Sequence, residues 1–154
     1  MLSIELGRQE FSASHRPKIF VQAVFAHFPE DHKGKCLLRF FIANGGDTDA
    51  TVVGYMAYLY HQVDGIVFAP ELDGETSFVF LNDTVLKPGA RVEVLGTHLC
   101  DWITCGEGER LFAIGRVEYE GGDSARRITG FCREYFSKNA MWQKVPNDAY
   151  EYTY

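Results

Sequence analysis

The densest group of reactive side chains in the sequence is His98-Leu99-Cys100-Asp101, with Cys105 a few residues on. Imidazole and thiolate are good zinc ligands, and a loop can bring three of them within bonding distance. Cys132 is a fourth candidate if its strand ends nearby. The spacing argues against a metal: CxxxxC is not the tight CxxC knuckle, and no second pair follows. His98 and Cys100 stand two residues apart and share a face of an extended strand, which brings a base within reach of a thiol. No oxyanion hole is implied, so the expectation is a loop carrying two thiols beside Trp102, with an oxidised Cys100–Cys105 pair as a further option. His27, Asp31 and His32 make a second ligand set around a Pro-Glu-Asp turn. They read as a solvated loop, because coordination needs a fixed geometry.

Other chemistries have less behind them. Glu118 and Glu120 share a strand face with Arg116 and, by pairing, Arg127, so the carboxylates read as charge-paired sheet surface rather than an acid–base couple. The sequence contains no GxxxxGK[ST], no GxGxxG opening a helix, no HExxH and no GxSxG. Asn82-Asp83-Thr84 fits a glycosylation sequon, which is chance without a secretory route. No catalytic residue, cofactor or metal is expected, with His98, Cys100 and Cys105 kept as the alternative metal or thiol site.

The elements that would carry these residues are strands. Aromatic residues make up 14% of the chain, and Val, Ile and Thr recur in short runs between Gly, Asp, Asn and Pro. No segment of a dozen residues keeps a helical apolar period. Strands are expected at 18–27, 36–44, 51–61, 77–81 and 91–97, and the best hairpin joins 111–119 to 125–135 through Gly121-Gly122-Asp123-Ser124. A four-residue loop there pairs Val117 with Ile128, Ala113 with Cys132 and Glu118 with Arg127. Leu86-Lys87-Pro88-Gly89 is a type II turn, since Pro fixes φ and Gly takes a positive one. Large side chains such as Phe40 and Tyr55 argue for a filled core rather than a ligand cavity. A short helical turn is expected near 137–142. The alternating Tyr150, Tyr152 and Tyr154 suggest that part of the tail adds an edge strand.

The step Asn44-Gly45-Gly46-Asp47-Thr48-Asp49-Ala50 and the later Leu86-Lys87-Pro88-Gly89 resemble immunoglobulin-like and fibronectin-III-like modules of bacterial adhesion-related proteins. In those, an N-x-G-x-x-x-A step links strands B and C, and an L-x-P-G turn introduces strand E. The run RITGFCREY at 127–135 and the ending YEY at 150–152 resemble a group of uncharacterised bacterial proteins. The resemblance implies an all-β, immunoglobulin-like β-sandwich of about seven strands at 16–135. An N-terminal extension at 1–15 and an irregular aromatic C-terminal tail at 136–154 flank it. The chain lacks the Trp between bridged cysteines of an antibody domain.

One surface feature asks for an explanation. In the expected register Phe112, Ile114, Phe131 and Tyr135 lie on the hairpin face turned away from the core. Either a partner covers them or the tail does, with Trp142 and its tyrosines matching them in character. The functional expectation is therefore a non-enzymatic protein-interaction or self-association module, with a symmetric homodimer as the first guess. The 154 residues suffice for one domain with a real core. A net charge of −6 speaks against a nucleic-acid face. No apolar run is long enough for a membrane span, and the start lacks a signal-peptide pattern. The expected location is cytoplasmic, or membrane-associated or envelope if an anchor precedes the domain.

Overall fold

The computed structural model describes residues 15–31, 33–62, 78–96, 100–102 and 109–145. Among these there is no helix. Nine strands run in order: β1 (Ile19–His27), β2 (Lys35–Asn44), β3 (Ala50–Gln62), β4 (Val79–Leu86), β5 (Arg91–Leu95), β6 (Cys100–Asp101), β7 (Arg110–Glu120), β8 (Arg126–Phe136) and β9 (Met141–Lys144). They form two antiparallel sheets. The smaller has the order β1-β2-β5, with β6 continuing the β5 side of β2, and the larger has the order β4-β3-β7-β8-β9. The chain is an all-β sandwich.

The core lies between the sheets because the strands alternate. In β2, Cys36, Leu38, Phe40 and Ile42 are buried while Leu37, Arg39 and Phe41 are half-buried. Phe40 meets Tyr55 edge-on at 5.3 Å and Phe131 at 5.2 Å, and all three are at most 3% exposed. The expected filled centre is there. Two bulges reset the alternation. In β1 the register shifts between Gln22 and Val24, with Ala23 at φ 39°, so Ile19 and Val21 point inward before the bulge and Val24 after it. In β3 the shift between Val52 and Gly54 passes the inward role from Val52 to Tyr55 and Ala57.

The β7–β8 hairpin corrects the expected register by one residue. Val117 opposes Thr129, Ile114 opposes Cys132 and Glu120 opposes Arg126, which leaves a five-residue loop instead of four. Ser124 N–H closes a turn onto the Gly121 carbonyl at 3.0 Å, and Ser124 takes φ 57°. Ala125 is then one residue more than the four-residue loop allows. Its N–H is satisfied by the Asp123 carboxylate at 3.2 Å. One residue of slip exchanges the two faces of β8. Phe131 therefore enters the main core, and Glu118 is reached by Arg126 at 3.0 Å rather than by Arg127. Arg127 instead grips Asp123 at 2.6 and 2.9 Å. The segment 137–140 is a plain turn with Ala140 at φ 53°, not a helical one, and it leads into β9.

Asn44, at 1% exposure, ties one end of the sandwich together. Its side-chain oxygen accepts from the N–H of Gly46 at 2.9 Å and of Lys18 at 3.3 Å. Its amide donates to the carbonyls of Thr48 at 2.8 Å and Leu86 at 2.9 Å. Its backbone N–H donates to Ala90, and its carbonyl accepts from Gly89. The two glycine-containing steps are thus joined through one residue. A Cβ on Gly46 would run into the backbone of Arg16 and Lys18, so only glycine fits. Gly89 has φ 77°, and Ala90 N–H bonds Lys87 C=O at 2.9 Å, the expected type II arrangement.

The larger sheet also closes the edges of the smaller one. β2 uses its odd residues toward β1 and its even ones toward β5, which leaves the carbonyls of Ile19, Val21 and Leu95 pointing outward. Thr129 Oγ1 donates to Ile19 at 2.9 Å, Arg133 to Val21 at 3.1 Å and the Tyr55 hydroxyl to Leu95 at 2.5 Å. Burial raises the Tyr55 phenol above its ordinary pKa, which keeps it a donor.

Two outcomes are expected. Asn44→Ala should lower unfolding stability by about 3 kcal/mol in urea, since it removes the partner of four backbone groups, one buried and three part-buried. Asn44→Asp should not restore it, because a carboxylate would face the Thr48 and Leu86 carbonyls. The Asp123 carboxyl is lowered to about 2, first by the Arg127 hydrogen bond and then by the Ala125 N–H. The unfolded carboxyl titrates near 3.9, so this contribution is complete above about pH 4 and fades as pH falls through 2. NMR titration should place Asp123 near that value, and Arg127→Ala should move it upward.

Candidate interaction surface

At the end of the sandwich opposite Asn44, four aromatic rings meet from four places in the chain. Trp102, directly after β6, packs edge-on against Phe28 at 5.0 Å and Tyr135 at 5.0 Å. Tyr135 meets Trp142 at 5.2 Å, and the two tryptophans lie 6.5 Å apart. The backbone explains the meeting. Tyr135 on β8 and Trp142 on β9 are direct register partners. Trp102 is held by its N–H to the Gly34 carbonyl at 2.9 Å, and Gly34 turns into β2 at φ 75°. Phe28 follows the last residue of β1 and is 51% exposed, while the other three rings are half-buried. The next pair on the ribbon, Phe136 and Met141, faces the other way and is also exposed.

Two ion pairs lie near this end. Lys35 meets Asp101 at 2.8 Å, and Arg110 holds Glu134 in a two-pronged contact at 2.6 and 2.8 Å. Lys35 is raised above its ordinary pKa by the Asp101 hydrogen bond and then by its charge. Arg110 also lies 4.8 Å from the Phe112 ring. Aromatic rings framed by neutralised charges make a surface that loses little when water leaves it.

The structure divides the residues expected to form one outer row. Tyr135 and Trp142 join the ring cluster. Phe131 is 1% exposed and belongs to the core between the sheets, a consequence of the register slip. Phe112 and Ile114 lie on the far side of the large sheet with Cys132, buried at 7% and 2% and packed by Tyr60 and Val145. Val145, following β9, bonds through its N–H to Cys132 C=O, so the start of the tail lies on this cluster. Sequence reasoning missed Phe28 and missed Trp102 as a surface residue. A two-residue strand such as β6 has no period to detect, and nothing local tells that Trp102 will face β8.

His98 and Cys105 lie outside the described residues, as do His32 and Tyr150, Tyr152 and Tyr154. Cys100 is buried opposite Cys36. Among the described residues no three His, Cys, Asp or Glu side chains gather to hold a metal. A shallow recess of about 220 Å³ lies at the Asn44 end between Arg16, Thr48 and Arg127. Its Arg127 is already engaged by Asp123.

Fold and surface together define an all-β two-sheet sandwich with an aromatic end. No protein-family model matches the chain, and no curated protein matches it. Among solved structures, the crystal structure of the "Putative ApaA Protein from Bordetella pertussis" is similar at 15% identity and a TM-score of 0.41. That match covers 71% of this chain and 85% of the other. No helix of the described residues is long and apolar enough to cross a membrane.

Trp102 and Trp142 are the chain's two tryptophans. At 6.5 Å and 71° their transitions should couple. Circular dichroism should show an exciton couplet that Trp102→Phe and Trp142→Phe each abolish; a couplet surviving either change would place the rings apart.

Proposed function

We propose that the protein is a non-enzymatic interaction module that docks a protein surface through Phe28, Trp102, Tyr135 and Trp142. The observation that carries this reading is the ring cluster itself, four aromatic side chains collected from separate elements onto one accessible end. Trp and Tyr dominate the residues on which interfaces depend, because they bury much area at low entropic cost. The capped edges of the small sheet support side-chain docking over strand addition there. A sandwich in which the chain passes between the sheets after β2, β4 and β6 supports the immunoglobulin-like and fibronectin-III-like likeness.

A second copy of the chain is the first partner, in a two-fold dimer. Chains of net charge −6 repel one another, so a shared contact needs a neutral frame. The Lys35–Asp101 and Arg110–Glu134 pairs supply one around these rings.

Sedimentation velocity over a concentration series should reveal a dimer. Phe28→Ser and Trp142→Ala should each raise its dissociation constant by roughly 30-fold or more, the effect of losing an interface anchor. Unchanged melting of Phe28→Ser would show that the fold is intact. A dimer indifferent to both substitutions, or a monomer at every concentration, would refute self-docking through these rings.

A further inference from the structure

We propose that Cys36 and Cys100 are a modification site, a dithiol that closes into a reversible intrachain disulfide by exchange with a small disulfide of the glutathione type. The inference stands independently of the docking reading, since it rests on strand register. Cys36 on β2 and Cys100 on β6 are direct partners in an antiparallel pairing. Directly opposed side chains leave the sheet on the same face. Both are buried, Cys36 at 0% and Cys100 at 9% exposure, and neither is bridged. The third described thiol, Cys132, sits in the separate cluster with Phe112 and Ile114, so it is not a competing partner.

The ladder fixes the separation. Trp102 N–H donates to Gly34 C=O, and two residues further along the same register stand Cys36 and Cys100. Antiparallel pairs alternate, so this is again a hydrogen-bonded pair, the wider of the two spacings, with Cα atoms about 5.5 Å apart. Disulfides span Cα distances of about 4.4–6.8 Å. The β-carbons of such a pair stand somewhat wider than the disulfide mean of about 3.8 Å. Closing the bond draws the strands together and leaves it strained, and strained disulfides are the readily reduced ones. The geometry therefore favours a bond that opens and closes over a permanent staple.

The exchange balances without further reagents. Cys100 is the more accessible of the two thiols, at 9% exposure against 0% for Cys36. Its thiolate attacks one sulfur of the small disulfide, forming a mixed disulfide and releasing one small thiol. Cys36 then loses its proton, and its sulfur attacks the Cys100 sulfur. The Cys36–Cys100 bond forms, and the second small thiol leaves. Two protein thiols are oxidised and one small disulfide is reduced to two thiols. Burial pushes the Cys36 thiol up to about 11, aided by the neighbouring Cys100. The second step is therefore the slow one, and it speeds up with rising pH. Closure fastens β6 to β2 two residues from Trp102, so the thiol state bears directly on the aromatic end.

The test treats the folded full chain with glutathione disulfide, blocks remaining thiols and maps the peptides by mass. A linked Cys36–Cys100 peptide is expected, with its loss on adding excess reduced glutathione. Cys36→Ser should leave Cys100 trapped as the mixed disulfide with glutathione. Cys105→Ser should leave the bridge intact. Linkage of Cys100 to Cys105, no linkage in the folded chain, or a bridge abolished by Cys105→Ser would overturn the assignment.

Discussion

The arrangement depends on the hydrogen bonds of Asn44. A β-sandwich must pass its chain from sheet to sheet several times, and each crossing strips backbone groups of ladder partners at a buried end. Here the crossing into β3 and the crossing into β5 lie side by side, and one side chain serves both. Its oxygen serves the entry to β1 and the Gly46 turn, while its amide serves the Thr48 carbonyl and the end of β4. A side chain with two donor hydrogens and an acceptor oxygen at that length is met only by asparagine. Gly46 follows from the same demand, because the loop must come against the backbone at Arg16 and Lys18 to be reached.

Tight closure at that end divides the labour of the molecule. Thr129, Arg133 and Tyr55 carry the closure along the small sheet by occupying its outward carbonyls. The bulge at Ala23 bends the β1 edge as well. Polar groups that would invite another strand are thereby used internally. The other end is finished differently, with a cluster of rings beside two surface ion pairs. Rings leave apolar surface half in water, which costs free energy unless something covers it.

The long strands β1, β2, β3, β7 and β8, the turn at Gly89 and the filled centre around Phe40 and Tyr55 are legible in the sequence, because alternation and turn chemistry are local, whereas the short β6 and β9 are not and β4 runs to Leu86 instead of ending at 81. The hairpin register is not legible either. A four-residue loop pairs apolar with apolar and Glu118 with Arg127, and it looked self-consistent. The deciding facts are the φ of Ser124 and the bond from the Ala125 N–H to the Asp123 carboxylate, which add one residue to the loop. That single residue carried Phe131 from the surface into the core. Tyr135 and Trp142 were recognisable as surface aromatics. Their neighbours Phe28 and Trp102 come from distant segments, and their meeting depends on the small sheet lying over the large one.

The same tertiary fact bears on the thiols. Read along the chain, Cys100 has His98 and Cys105 as neighbours, and the natural chemistries are metal binding or a local bridge. Read across the ladder, its neighbour is Cys36. A residue in a two-residue strand has few ladder bonds to fix it, so the side chains beside it largely decide how firmly β6 is held. Cys100 and Trp102 flank the exposed Asp101, which ties to Lys35. Three interactions of different kinds, a thiol pair, an ion pair and a ring contact, thus converge on three consecutive residues. Of these the ring contacts join β6 to the large sheet, and the thiol pair is the one able to become covalent. Closure of the proposed Cys36–Cys100 bond would therefore fasten β6 to β2 at the aromatic end, away from the Asn44 hydrogen bonds.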